Sequence, residues 1–349
     1  MKVLNLILSH DGLCSQYVDM LCKCMPKDYV MTTAYGLKDF KEACQQEQPD
    51  IIHLHGCPQR DTLQLLYKLS QGDYRIVFSP HGQLHPWERE KGQAKALNLW
   101  LQHNARHFYV MVARSNIEAT SLEELGWNQR IETVTNPIIT RTTTKERLAQ
   151  QMTAIYQKVA DSNPLEVMDK TTQDTLHILM KAGICKDQRW VSDATINEKD
   201  TDWRKLLIYA QHEGIAEIIA NGIEIMQSTV PTIDASTIPV FLPNHYQPAT
   251  PMLNAPLAKL ICTAENEASQ QQLSLLRLCE IHYGLMQNDI DEELLLKELD
   301  ESHSLPFFES LLTVLKQLTL LDEGYMPCTP AENKLTQQLR TNISKHLKI

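Results

Sequence analysis

YRIVFSPHGQLHPWERE, residues 74–90, decides the fold. Ile76, Val77 and Phe78 form a short apolar run that stops at Ser79-Pro80-His81-Gly82. Proline cannot donate to a sheet ladder and glycine reaches turn conformations that other residues avoid, so a strand ends here and passes His81 to a turn. The same pattern occurs upstream, where Ile51-Ile52-His53-Leu54 runs into His55-Gly56. Two apolar strands that each end in His-Gly, one strand–helix–strand unit apart, predict one site at one edge of one sheet.

Working outward, strands are predicted at residues 3–9, 29–33, 50–54, 74–79, 108–113 and 131–135. Between them the apolar residues recur at helical spacing, as in Val18, Leu21 and Cys22, or Leu37, Phe40 and Cys44, or Leu63, Leu66 and Tyr67. Ser115 with Glu118 three residues on reads as a capping box, and Gly126 closes the helix that follows. Strands that are apolar without strict alternation, separated by helices, mean a parallel sheet covered on both faces. Right-handed crossovers then bring all strand C-terminal ends to one edge, which gathers His10, His55 and His81 there. His53 lies within its strand and reads as a core residue.

The composition sets outer limits. A chain of 349 residues is long enough for two or three domains, and 43% hydrophobic residues supply a core. Residues 1–140 hold 14 Lys and Arg against 15 Asp and Glu, whereas the remainder holds 19 against 28. That acidic second part argues against nucleic acid as a partner. Nine cysteines without a framework spacing fit reduced thiols and a cytoplasmic location, and no ligand spacing points to a metal. The apolar run within residues 1–12 is too short for a signal peptide or membrane span, and Asp11 interrupts it, so a first buried strand is the expected reading.

The motifs PDIIHLHG (49–56), VFSPHG (77–82), ARSNIEATSLEELGW (113–127) and VTNPI (134–138) stand in an order and spacing that resemble a known family. Residues 1 to about 140 resemble the N-terminal Rossmann-like half of a GT-B glycosyltransferase of family 4. The resemblance implies transfer of a hexose from a nucleotide-sugar to a carbohydrate acceptor hydroxyl, with no tightly bound cofactor. It would place His81 in the catalytic role, near the transferred sugar. Gly12, His55, Gly56, Gly82, Trp87, Glu88 and Arg114 would be substrate-binding. Glu88 or Glu90 would be candidate general bases, and Arg89, Lys91 and Arg114 the cations available to a diphosphate. The family's paired glycines after the first strand are reduced here to Gly12.

The second half departs from the family. Its donor-side domain carries glycine-rich loops and two glutamates separated by seven residues. Glu293 and Glu301 have that spacing here, but in an acidic amphipathic helix without glycine. The expected organisation is therefore an α/β parallel-sheet domain (1–140), a helical region (141–228), a Pro-rich linker or arm (229–256) and a helical domain (257–349). Residues 183–184 and 192–202 read as loops, and Gly214 and Gly222 as interruptions of a helical stretch. Three helices followed by Asp322-Glu323-Gly324, read as a hairpin, outline a winged-helix-like ending. A protein partner or homo-oligomer through the helical region is expected. Two functional readings stand: a glycosyltransferase whose donor-binding half is not recognisable in this chain, and a noncatalytic scaffold that retains the fold.

Overall fold

The structure is a computed structural model that describes residues 1–9, 12–72, 74–90, 95–140, 143–242, 247, 249–252, 254–287 and 290–345. The chain divides into two compact units, Met1–Ser162 and Asn163–Lys348.

The first unit alternates strand and helix: β1 (Lys2–Ile7), α1 (Gly12–Cys24), β2 (Val30–Ala34), α2 (Leu37–Glu47), β3 (Ile51–His55), α3 (Leu63–Gln71), β4 (Ile76–Ser79), α4 (Pro86–Glu90), α5 (Lys95–Ala105), β5 (Val110–Ala113), α6 (Asn116–Leu125), β6 (Ile131–Thr133) and α7 (Lys145–Asp161). The six strands form one sheet in the order β2-β1-β3-β4-β5-β6, and every pairing is parallel. β3, β4 and β5 are buried along their whole length, as strands covered on both faces must be.

The two faces differ in chemistry. Leu4, Leu6, Ile52, Leu54 and Phe78 point into an apolar core shared with Phe40 of α2, Leu66 of α3, Leu101 of α5 and Leu122 of α6. Alternation sends Asn5, His53 and His55 to the opposite face, where Ile7 packs on Cys14 and Val18 of α1. α7 packs against α1 and β3. The helix at 145–161 thus falls in the first unit, which reaches Ser162 rather than ending near residue 140. The physical reason is that its apolar stripe, including Leu148, Met152, Ile155 and Val159, is buried as part of the cover over this second face.

The described residues of the second unit form helices α8 (Pro164–Val167), α9 (Lys170–Cys185), α10 (Trp203–His212), α11 (Ala216–Met226), α12 (Leu257–Ser269), α13 (Leu275–Leu285), α14 (Glu292–Glu301), α15 (Leu305–Leu318) and α16 (Lys334–Lys345), and no strand. One apolar core runs through them, including Leu179, Tyr209, Ile261, Leu278, Phe308 and Leu311.

Three local expectations are corrected. Gly183 and Ile184 lie inside α9 and Gly222 inside α11, rather than in loops or breaks. A Cβ on Gly183 would come 1.9 Å from the Ile218 carbonyl oxygen, and one on Gly222 would come 2.1 Å from that of Leu179. The two glycines let the helices touch backbone to backbone; only Gly214, at φ +75, breaks the chain between α10 and α11. The winged-helix hairpin is not formed. Glu323–Tyr325 is a 3-10 turn, with Asp322 paired to Lys181 at 3.1 Å and Glu323 bound to Lys316. A wing needs two facing strands, and these acids are held by helical lysines instead.

Residues 229–242 carry only a 3-10 turn, Ala235–Thr237. Residues 250–252 of the Pro-rich arm are pinned: Arg277 donates to the Thr250 carbonyl at 3.2 Å, and Glu280 accepts from the Met252 amide at 2.7 Å. Among the described residues no helix is long and apolar enough to cross a membrane.

Candidate functional site

The strand order reverses between β1 and β3, and open parallel sheets hold ligands outside the strand ends at such a switch point. Gly56 follows β3 at φ +78 and donates its N–H to the Ser79 carbonyl at 2.8 Å. A Cβ there would meet Ser9 Cβ at 2.6 Å, so the β3 end can lie against the β1 end only because residue 56 is glycine. Gln83 ties the strand ends together, donating to Ser9 Oγ at 2.9 Å and accepting from the Cys57 amide at 2.6 Å.

After β4 the chain turns through Pro80, and His81 sits in the left-handed region at φ +54, followed by Gly82 at φ +83. A non-glycine residue held there is uncommon, and such positions persist only where surrounding structure imposes them. Three groups impose this one. His81 Nε2 lies 3.1 Å from His55 Nδ1, the Tyr17 ring meets His81 edge-on at 4.9 Å, and the Gly82 N–H is bound by the Glu118 carboxylate.

Glu118 has a wider role than the capping box implies. Ser115 Oγ does cap α6, accepting from the Glu118 amide at 3.2 Å. The Glu118 side chain, however, accepts from the Arg114 amide at 2.8 Å and from Gly82, joining the β5 and β4 ends. Burial pushes its pKa up, against the two N–H donors and the Arg114 guanidinium 3.7 Å away, which favour the carboxylate. Arg114 also covers Gly82, since a Cβ on that glycine would come 2.0 Å from Arg114 Nη2. Its side chain remains 32% exposed, which leaves part of the guanidinium open beside the turn.

Beneath the turn lies a stack of imidazoles. His55 Nε2 lies 3.1 Å from Asn5 Oδ1, while His53 is bound at both nitrogens, to Tyr156 Oη at 2.6 Å and Ser79 Oγ at 2.8 Å. The His53 and His55 rings stand 3.9 Å apart. Burial, then the neighbouring imidazoles, hold both well below the ordinary histidine range, so both are neutral near pH 7. Burial also raises the Tyr17 and Tyr156 phenols, which stay protonated.

The predicted site residues therefore divide. His81, Gly82, Gly56 and Arg114 are gathered at the strand ends. His55 is fully buried with both nitrogens engaged by the protein, so it acts on the site through His81. Gly12 opens α1 with nothing within 4 Å of its Cβ position. Trp87 is 64% exposed and lies against His85 in a tilted ring contact, centroids 4.3 Å apart; Glu88 is exposed one residue further along α4. His10 and Lys91 lie outside the described residues, as do the side chains of Arg89 and Glu90. Among the described residues no group of three or more His, Cys, Asp or Glu is arranged to hold a metal ion.

Sequence reasoning missed Asn5, Tyr17, Gln83 and Tyr156. Asn5 alone left a signal, an amide in the middle of the otherwise apolar VLNLIL.

Fold and site together define the class: a parallel α/β unit with its candidate site at the C-terminal edge of the sheet. Within it, residues 24–142 match the profile of Glycosyltransferase Family 4, about a third of the chain. The match agrees with the motifs at 49–56, 77–82 and 113–138. No curated protein and no solved structure matches the chain.

Proposed function

We propose that the first unit is the acceptor-side half of a glycosyltransferase, which presents an acceptor hydroxyl for transfer of a sugar from a nucleotide-sugar. The observation that carries this reading is the His81-Gly82 turn, held in left-handed backbone at the end of β4 by His55, Tyr17 and Glu118. In this reading His81 hydrogen-bonds the reacting hydroxyl, and Gly56 and Gly82 let Ser9 and Arg114 close around the turn that presents it. Arg114 offers positive charge to the diphosphate leaving group, since preorganised charge beside a developing anion lowers the barrier. Exposed Trp87 supplies a face for a sugar ring, and Glu88 an acceptor for its hydroxyls.

A second reading, a noncatalytic carbohydrate- or nucleotide-binding scaffold, is favoured by one observation. The described residues of Asn163–Lys348 contain no strand, so they offer no second parallel sheet to bind a donor. Under the enzymatic reading the donor-binding half then comes from a partner chain.

Calorimetric titration with nucleoside diphosphates and their sugars, with and without divalent metal, separates the readings. No binding at millimolar ligand removes the autonomous enzyme. Where turnover is found, His81→Ala should abolish it, and a full rate in that variant removes His81 from the reaction.

A further inference from the structure

The hydrogen-bond chain behind His81 has a direction, and that direction is fixed by a group outside the imidazoles. Asn5 Nδ2 lies 3.3 Å from the Thr32 carbonyl oxygen. A backbone carbonyl only accepts, so the amide nitrogen must face it, and Oδ1 must face His55. Oδ1 also only accepts, so His55 Nε2, 3.1 Å away, carries a proton. His55 is neutral in its buried setting, so its Nδ1 holds a lone pair. The 3.1 Å approach of His81 Nε2 to that lone pair is then an N–H donation from His81 to His55.

We infer that Asn5 and His55 are positioning residues that fix His81 as the Nε2–H tautomer, so that Nδ1 is its proton-accepting atom. The role of this atom toward an acceptor hydroxyl rests on the reading of His81 given above; the tautomer itself does not. The chain also has an end. The Asn5 amide neither gives up nor takes a proton at ordinary pH, so no proton leaves His81 through His55. His53 does not disturb this direction, because its own nitrogens are bound by Tyr156 and Ser79.

The test is long-range proton–nitrogen NMR on the full chain labelled at histidine nitrogen, at pH 7.5 or above. Among the 13 histidines, the His81 signals are those lost in His81→Gln. The expected result is a protonated Nε2 and a lone-pair Nδ1 for His81, and the same tautomer for His55. A His81 spectrum with these two nitrogens exchanged overturns the inference, whether or not the protein transfers sugar. Asn5→Leu removes the acceptor and should give His81 signals from both tautomers. A single unchanged tautomer in Asn5→Leu refutes the positioning role of Asn5. If that variant does not fold, the wild-type spectrum decides the direction and His55→Phe supplies the comparison: an unchanged tautomer there refutes the role of the relay. Failure of nucleotide or sugar binding with the expected tautomer present counts against the proposed function alone.

Discussion

Acidification from pH 7 to pH 5 should destabilise the first unit through its two buried imidazoles. His53 and His55 are fully buried and neutral, with proton affinities lowered first by burial and then by neighbouring imidazoles. In the unfolded chain each returns to the ordinary value of about 6.5. Below that pH the unfolded state binds protons that the folded state refuses, so stability falls as pH falls. Each such proton is worth about 1.36 kcal/mol per pH unit once titration is complete, which gives at most about 2 kcal/mol per histidine over this window. The pair therefore costs up to about 4 kcal/mol, a large share of the roughly 5–15 kcal/mol that holds a typical domain folded. Glu118 acts in the opposite sense, because its raised pKa favours the folded state on acidification. His55→Phe isolates the imidazole contribution, and its loss over the same window should be smaller than the wild type's by up to about 2 kcal/mol. Hydrogen exchange read by mass spectrometry on peptides from β1, β3 and β4, corrected for the intrinsic pH dependence of exchange, measures this locally. A pH dependence in His55→Phe equal to the wild type's would refute the assignment, as would wild-type protection energies that do not fall.

Two further perturbations follow from the geometry. Gly82→Ala forces an L-residue to φ +83 and drives its Cβ into the Arg114 guanidinium, so a loss of about 2 kcal/mol or more is expected in chemical denaturation. Gly12→Ala, with nothing within 4 Å of the new methyl, should stay within about 0.5 kcal/mol, and equal losses at the two sites would contradict the packing. Arg277→Met strips Glu267 and Glu280 of a counter-ion whose own side chain is only 3% exposed, at a cost of about 3 kcal/mol. It also frees the Thr250 carbonyl, so limited proteolysis should open new cleavage around residues 249–252; an unchanged digest would show that the clamp does not hold the arm.

Much of the first unit was legible because its signals are local. Apolar runs, Pro80, the His-Gly pairs and the Ser115 cap each act within a few residues, and they marked all six strands and the edge carrying His81. Strands came out within two residues of their observed ends because hydrophobic patterning marks their buried stretches but not where the ladder bonds stop. Glycine was legible only where its role is conformational. Gly126 and Gly214 end helices through backbone geometry, whereas Gly183 and Gly222 permit a helix–helix approach that depends on residues some forty positions away.

The sequence by itself determined that a parallel sheet would carry His81 and Gly82 at its C-terminal edge, because strand alternation and crossover handedness leave little choice. What fixes His81 there was decided only by the tertiary structure. His55 lies 50 residues from Asn5, and His53 lies 103 from Tyr156. Those partners are chosen by the β1–β3 register, which sets Asn5 opposite His53 and Ile7 opposite His55, and by α7 covering the face where they meet. A one-residue slip in that register would turn Asn5 to the other side of the sheet. The direction of the proton at His81 therefore rests on strand pairing, which no local stretch of the chain encodes.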